Sequence, residues 1–318
     1  MEKLNLIIIL GPTAVGKTKL SIDLAKRLST EVISGDSMLV YKGFDIGTAK
    51  PTKKEMAGVK HHIIDILEPW QNFNVSDFQE KVKPLIKQLN DMGKIPILAG
   101  GTGLYIKSLV EGYVFNKTSG DNEYRLHLEK LAQEHGKEYV YNMLKQVDAE
   151  TAQRLHINNF NRIIRALEVY HLGKEQISQQ NHYEATGELV YNVYIVGLNR
   201  QRQHLYERIN QRVDMMIDDG FVNEVKTLLD NGAKLDWQSM KGIGYREIAS
   251  YLQGEISLDK AIEEMKKATR HFAKRQFTWY KKMPYISWYD VEQLTAEELL
   301  DKVTYDCRKY FSVDEVTN

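Results

Sequence analysis

The stretch Gly11-Pro12-Thr13-Ala14-Val15-Gly16-Lys17-Thr18 carries two glycines, a lysine and a hydroxyl in the spacing G-x-x-x-x-G-K-[ST]. A loop of this pattern holds a polyphosphate. The glycines let the backbone curl so that successive N–H groups face an anion. Lys17 reaches the terminal phosphates, and the Thr18 hydroxyl is placed to ligate Mg2+. A second chemically suggestive residue is Asp36, at the end of Glu31-Val32-Ile33-Ser34-Gly35-Asp36. A third group is Gly100-Gly101-Thr102-Gly103-Leu104-Tyr105, a Gly-rich turn in which Thr102 presents a hydroxyl and an N–H.

The flanking elements place these groups together. Leu4 to Leu10 is a short apolar run, read as a buried strand. Leu20, Leu24 and Leu28 then recur at helical spacing, so the phosphate loop lies between strand and helix and the helix adds its positive dipole end. Residues 31–36 and 94–99 read as further parallel strands, whose C-terminal ends reach the same sheet edge. Asp36 and Thr102 are therefore expected beside the loop. The connection from Ser37 to Pro51 is polar, Gly-punctuated and too long for a simple turn, which marks it as functional. Ser76 to Met92 reads as a helix with Ser76 as N-cap and Pro84 as a possible kink. The adjacent His61 and His62 lie on a short strand and face opposite sides, which argues against a shared metal and for a structural or loop-anchoring role.

The 318 residues have zero net charge and an ordinary globular composition. No apolar run is long enough to span a membrane, and no signal peptide is apparent. The single cysteine, Cys307, excludes an intrachain disulfide and a cysteine-based zinc site, and a cytoplasmic location is the simple expectation. From Asn116 to Glu188 strand-like runs vanish and short helices follow one another, which predicts a helical insertion in an α/β core. Within it Arg162 and Arg165 share one helix face, usable for phosphate contacts or simply solvated. Residues 265–284 hold seven lysines and arginines and no acid, interleaved with Phe272, Phe277, Trp279 and Tyr280. An RNA surface and a helix with core aromatics and solvated charges both fit that pattern. The expected architecture is a phosphate-loop (P-loop NTPase-like) α/β core with a parallel sheet flanked by helices, over 1–115 and 191–318, and an all-helical insertion over 116–190.

Jointly, these motifs resemble the tRNA isopentenyltransferase (tRNA dimethylallyltransferase) family of bacterial type. The resemblance rests on Gly11 to Thr18, on Asp36-Ser37-Met38-Leu39-Val40-Tyr41-Lys42-Gly43 and on Asp45-Ile46-Gly47-Thr48-Ala49-Lys50-Pro51. It continues through His61-His62-Ile63-Ile64-Asp65, Gly100 to Tyr105, Arg162-Ile163-Ile164-Arg165-Ala166-Leu167-Glu168, Gly244-Tyr245-Arg246-Glu247 and Lys274-Arg275-Gln276-Phe277-Thr278-Trp279. Leu39 and Asn161 both stand where glutamine is common in the family, and the zinc-finger extension of eukaryotic relatives is missing.

The resemblance implies transfer of a dimethylallyl group from dimethylallyl diphosphate to the exocyclic amine of adenine 37 in the tRNA anticodon stem-loop. It implies that Gly11, Pro12, Thr13, Ala14, Val15, Gly16, Lys17 and Thr18 hold the diphosphate, with Mg2+ on Thr18. Lys17 and Arg212 stabilise the leaving group, Asp36 accepts the proton, and Thr102 orients the base or the acid. Asp36, Ser37, Met38, Leu39, Thr102, Arg125, Asn161, Arg162, Ile163, Ile164, Arg165, Lys274 and Arg275 are the implied tRNA contacts. A monomer is expected. Two other readings share the loop: an ATP-dependent nucleotide or small-molecule kinase, and a nucleotide-gated RNA-binding protein.

Overall fold

In a computed structural model of the chain, residues 3–113, 115, 121–173, 176–180 and 189–312 are described. Residues 116–120 and 181–188, which carry the expected start and much of the end of the insertion, lie outside them. The chain divides into two units, 1–110 with 189–318 and 111–188.

The first unit opens with β1 (Asn5–Leu10), α1 (Lys17–Arg27), β2 (Val32–Ser34), α2 (Lys53–Met56), β3 (His61–His62), α3 (Val75–Asp91), β4 (Ile97–Gly100) and α4 (Gly103–Val110). The second unit holds α5 (Asn122–His135), α6 (Lys137–Val147), α7 (Ala149–Arg154), α8 (Phe160–Gly173) and α9 (Ile177–Gln180). The first unit resumes with β5 (Asn192–Asn199), α10 (Arg202–Asp218), α11 (Phe221–Asp230) and a short 3-10 turn, Ser239–Lys241. It ends with α12 (Tyr245–Leu252), α13 (Leu258–Tyr280), β6 (Ile286–Asp290) and α14 (Ala296–Phe311).

The six strands form one parallel sheet in the order β3-β2-β4-β1-β5-β6. The central strands β1, β2 and β4 are largely apolar and buried because helices cover both faces. Leu6, Ile8 and Leu10 enter one hydrophobic cluster with α3 and α4, while Ile7 and Ile9 enter another with α1 and α14. That alternation is the period-two geometry of a strand. The register pairs Leu10 with Gly100 and Ser34 with Ala99, so β1, β2 and β4 end level with one another. The phosphate loop, Asp36 and Thr102 all leave the sheet at this edge, as a parallel sheet requires.

Several expected boundaries shift for local reasons. The strand expected over 61–67 is confined to His61–His62, since Ile63 and Asp65 adopt φ of 61° and 53° and break the extended run. The N-cap of α3 is Asn74, not Ser76. The Asn74 side chain accepts from Ser76 N at 2.8 Å, and Asp77 returns a bond to Asn74 N at 2.8 Å. The helix runs through Pro84 to Asp91. The connection after Asp36 is also less polar than its composition indicates: Val40, Tyr41 and Phe44 are fully buried and anchor it. Among the described residues no helix is long and apolar enough to cross a membrane.

The second unit packs around Leu128, Val140, Leu144, Ile163 and Leu167. Glu168, also fully buried, takes Arg125 through two bonds of 2.5 and 2.9 Å, Arg165 at 2.5 Å and Asp121 N at 2.8 Å. Burial opposes its ionisation, but Arg125 and Arg165 outweigh that and hold its carboxyl down at about 2.

Candidate active site

Gly16 caps α1 in a left-handed conformation, φ 114°, and no side chain makes a capping hydrogen bond there. The first N–H groups of α1 are therefore available to an anion. Ala14 in the loop and Ala49 in the facing connection also take positive φ, 64° and 51°. Backbone in this region costs on the order of 1 kcal/mol for alanine and persists where the surroundings impose it. Lys17 Nζ donates to Gly11 O at 2.9 Å and Pro12 O at 2.8 Å, lying back along the loop. Burial, reinforced by Arg212, lowers its pKa to about 8 against the opposing pull of Asp36. Burial also lowers that of Arg212.

One end of α13 builds the floor. Gln276 accepts from Thr13 N at 2.9 Å and donates to Gly101 O at 2.9 Å. The Tyr280 hydroxyl lies 3.1 Å from Gly11 O and 3.0 Å from Gly101 O. Both side chains are buried, and each ties the phosphate loop to the second Gly-rich turn. The amide of Thr13 is thus bonded to a buried side chain of α13. Nothing local in the sequence marks Gln276 or Tyr280, which lie 175 to 269 residues from their partners.

Asp36 Oδ1 accepts from Met38 N at 2.8 Å, which folds the chain back just after β2. Ser37 N donates to the Thr102 hydroxyl at 3.3 Å. Thr102 therefore reaches the acid through the neighbouring backbone. Arg212 projects from α10, whose Arg208 donates to Ala14 O at 3.1 Å.

Three cavities meet here, and Arg212 lines all of them. The first, about 310 Å³, holds Thr13, Asp36 and Arg275 against an apolar wall of Val213, Met216 and Met265. The second, about 620 Å³, is basic, with Lys17, Lys19, Lys26 and Arg208 beside Thr18. The third, about 90 Å³, lies between them and is lined by Lys17, Thr18, Ser34, Asp36 and His61. The basic side and the partly apolar side thus share Arg212, and Asp36 is common to the partly apolar cavity and the small third one.

The two histidines separate as expected for a strand. His62 Nε2 meets Glu31 at 2.7 Å, at the far edge from the loop. His61 Nδ1 lies 2.9 Å from Val59 O, so Nδ1 carries the proton, and burial lowers the pKa of the ring. Its Nε2 is buried and without a partner among the described residues. Sequence reasoning did not assign His61 to the site.

The residues implied to contact tRNA fall into distinct environments. Ser37, Met38 and Arg275 line the first cavity, and Leu39 lines the third. Lys274 is exposed on α13. The aromatics of α13 divide: Tyr280 is fully buried, Phe277 and Trp279 pack on the core, and Phe272 lines the first cavity beneath Arg275. In the second unit Asn161 and Arg162 are exposed. Ile163 and Ile164 are core residues at 0% and 4% exposure, so their side chains are not surface contacts. Arg125 and Arg165 both pair with Glu168 while remaining partly exposed.

The family described as IPP transferase matches residues 39–283. A tRNA dimethylallyltransferase of Bacillus cereus (strain ATCC 10987 / NRS 248) is 48% identical over 291 residues, covering 92% of this chain and 91% of that protein. The crystal structure of the full-length tRNA isopentenylpyrophosphate transferase from Bacillus halodurans superposes with a TM-score of 0.74 at 41% identity, covering 98% of this chain and 97% of that one. The structure of a eukaryotic dimethylallyltransferase acting on tRNA gives a TM-score of 0.84 at 28% identity, over 99% of this chain and 81% of that one.

Proposed function

The chain belongs to the IPP transferase family, and from that premise we propose that it transfers a dimethylallyl group from dimethylallyl diphosphate to the N6 amine of adenine 37 in the tRNA anticodon stem-loop. The observation that carries this reading is that Arg212 lines the basic cavity, the partly apolar one and the small one beside Lys17 and Thr18, while Asp36 lines the latter two. A kinase reading finds no comparable support, since the relatives at high coverage are prenyltransferases by name.

The donor's diphosphate lies in the loop, against the free N–H groups that open α1. As the allylic C–O bond breaks, negative charge collects on the departing diphosphate, and Lys17 and Arg212 stabilise it. Lys17 leaves the Gly11 and Pro12 carbonyls to do so. The adenine amine is a weak nucleophile because its lone pair is delocalised into the ring. Asp36 accepts its proton as the new C–N bond forms. Thr102 holds the backbone at Ser37 and so the approach of the acid.

The Thr18 hydroxyl and the Asp36 carboxylate line the same small cavity, a hard-oxygen donor set suited to Mg2+ together with substrate phosphate. Among the described residues no group of three His, Cys, Asp or Glu could hold a metal without the substrate. Thr18 would hold the ion, and the bound ion would add positive charge at the leaving group.

The target base must leave the anticodon stack to reach Asp36, at a cost of about a few kcal/mol. Lys274, Arg275 and Arg162 offset that by backbone contacts with the RNA. The protein acts as a cytoplasmic monomer.

The test is incubation with unmodified tRNA, dimethylallyl diphosphate and Mg2+, followed by mass analysis of the nucleosides. A prenylated adenosine supports the reading. ATP turnover on a small acceptor, with tRNA unchanged, would refute it.

A further inference from the structure

Three successive backbone N–H groups converge on a single carboxylate in the connection after β2. Asp45 N and Ile46 N lie 3.1 and 2.7 Å from Glu224 Oε2, and Gly47 N lies 3.3 Å from Oε1. Oε1 also accepts from the Tyr245 hydroxyl at 2.7 Å. Glu224 belongs to α11 and lies 177 to 179 residues from the amides it receives. It fills a backbone nest of the kind that elsewhere receives a free anion. Burial, and then Glu224 itself, push the Tyr245 hydroxyl well above its ordinary pKa, so it remains a donor.

The connection is held tightly around this point. A Cβ on Gly47 would come within 2.2 Å of Phe221 and 2.8 Å of Tyr245. The Thr48 hydroxyl donates to Phe44 O at 2.6 Å. Lys50, 5% exposed, pairs with Asp45 at 2.7 Å and with Asp65. Gly47 and Thr48 in turn line the cavity that contains Asp36 and Arg212.

We infer that Glu224 is a positioning residue for the transfer reaction, fixing residues 45–48 as one wall of the cavity in which acid and arginine meet. The role rests on the transferase reading above. Glu224 does not line that cavity and acts through the loop. Its chemistry suits the task, because two carboxylate oxygens receive four donors. A carboxamide offers one oxygen and turns its own donors toward the remaining N–H groups. A wall loosened by about 1 Å misplaces the reacting groups, with a rate cost of up to about a hundredfold.

Glu224→Gln, compared with wild type at saturating tRNA and dimethylallyl diphosphate, tests this. Backbone hydrogen exchange is followed at residues 45–47 and in β1 and β4. We expect kcat to fall by about tenfold or more. The amides of 45–47 should exchange about tenfold faster or more while β1 and β4 keep their protection. Donor and tRNA dissociation constants should stay within about threefold. Glu224→Asp, which keeps the charge on a shorter arm, should recover part of kcat. A kcat within about twofold of wild type would overturn the proposal. So would a fall in kcat with unchanged protection at 45–47, or a loss of protection spreading into β1 and β4. A wild-type protein inert toward tRNA refutes the transferase reading and this role together. An active wild type with an unaffected variant refutes Glu224 alone.

Discussion

Gln276 accepts the backbone amide of Thr13 at 2.9 Å and so couples the phosphate loop to the basic helix that carries Lys274 and Arg275. The same side chain donates to Gly101 O, so one buried amide spans both Gly-rich turns of the sheet edge. Gln276→Leu keeps the volume and removes both bonds. Each buried group left unpaired costs about 1–3 kcal/mol. Stability should fall by that order in urea unfolding, and the donor KM should rise because the loop is no longer held. Unchanged stability and KM would show that water replaces the bridge.

Lys17 makes donor binding depend on pH. Its pKa in the free protein is lowered to about 8 by burial and by Arg212. A diphosphate favours the charged amine and raises that value on binding. Below about pH 8 the lysine is already charged; above it, binding must take up a proton. Donor affinity should therefore weaken above about pH 8, by up to about tenfold per unit. Calorimetry in buffers of different ionisation enthalpy should show proton uptake in that window. Arg212→Ala should move the onset upward, since a neighbouring positive charge is gone. Folding stability carries the opposite sign. The unfolded chain, near 10.5, binds more protons than the folded chain between about 8 and 10.5, so this group makes stability rise with pH there.

Asp36→Asn keeps an oxygen for Met38 N, so the turn after β2 should survive. It removes the proton acceptor. Single-turnover transfer should slow by about 10²–10⁴-fold with tRNA affinity nearly unchanged. A variant as fast as wild type would remove Asp36 from the proton transfer.

Lys274 and Arg275 are exposed next to the first cavity wall, and neither is required for the Gln276 bridge. Changing both to alanine should weaken tRNA binding and flatten its dependence on salt, by about one to two units of log–log slope. Equal slopes for variant and wild type would place the RNA elsewhere.

Much of this protein is legible along the chain because the signals are local. An apolar strand, a Gly-rich loop with Lys17 and Thr18, and a following helix are spelled out within thirty residues. The level ends of parallel strands then place Asp36 and Thr102 by geometry alone. Even Asn74, missed as a cap, was written two residues before the one chosen.

The tertiary structure alone decided which distant side chains complete the site. Gln276 and Tyr280 hold Thr13, Gly11 and Gly101, and Glu224 holds the amides of 45–47. It likewise decided that Ile163 and Ile164 are core and that Glu168 gathers two arginines. Periodicity and capping are properties of neighbours in sequence, whereas these contacts depend on how helices cross the sheet. A hydrogen bond between residues some two hundred positions apart leaves no trace in the spacing of either.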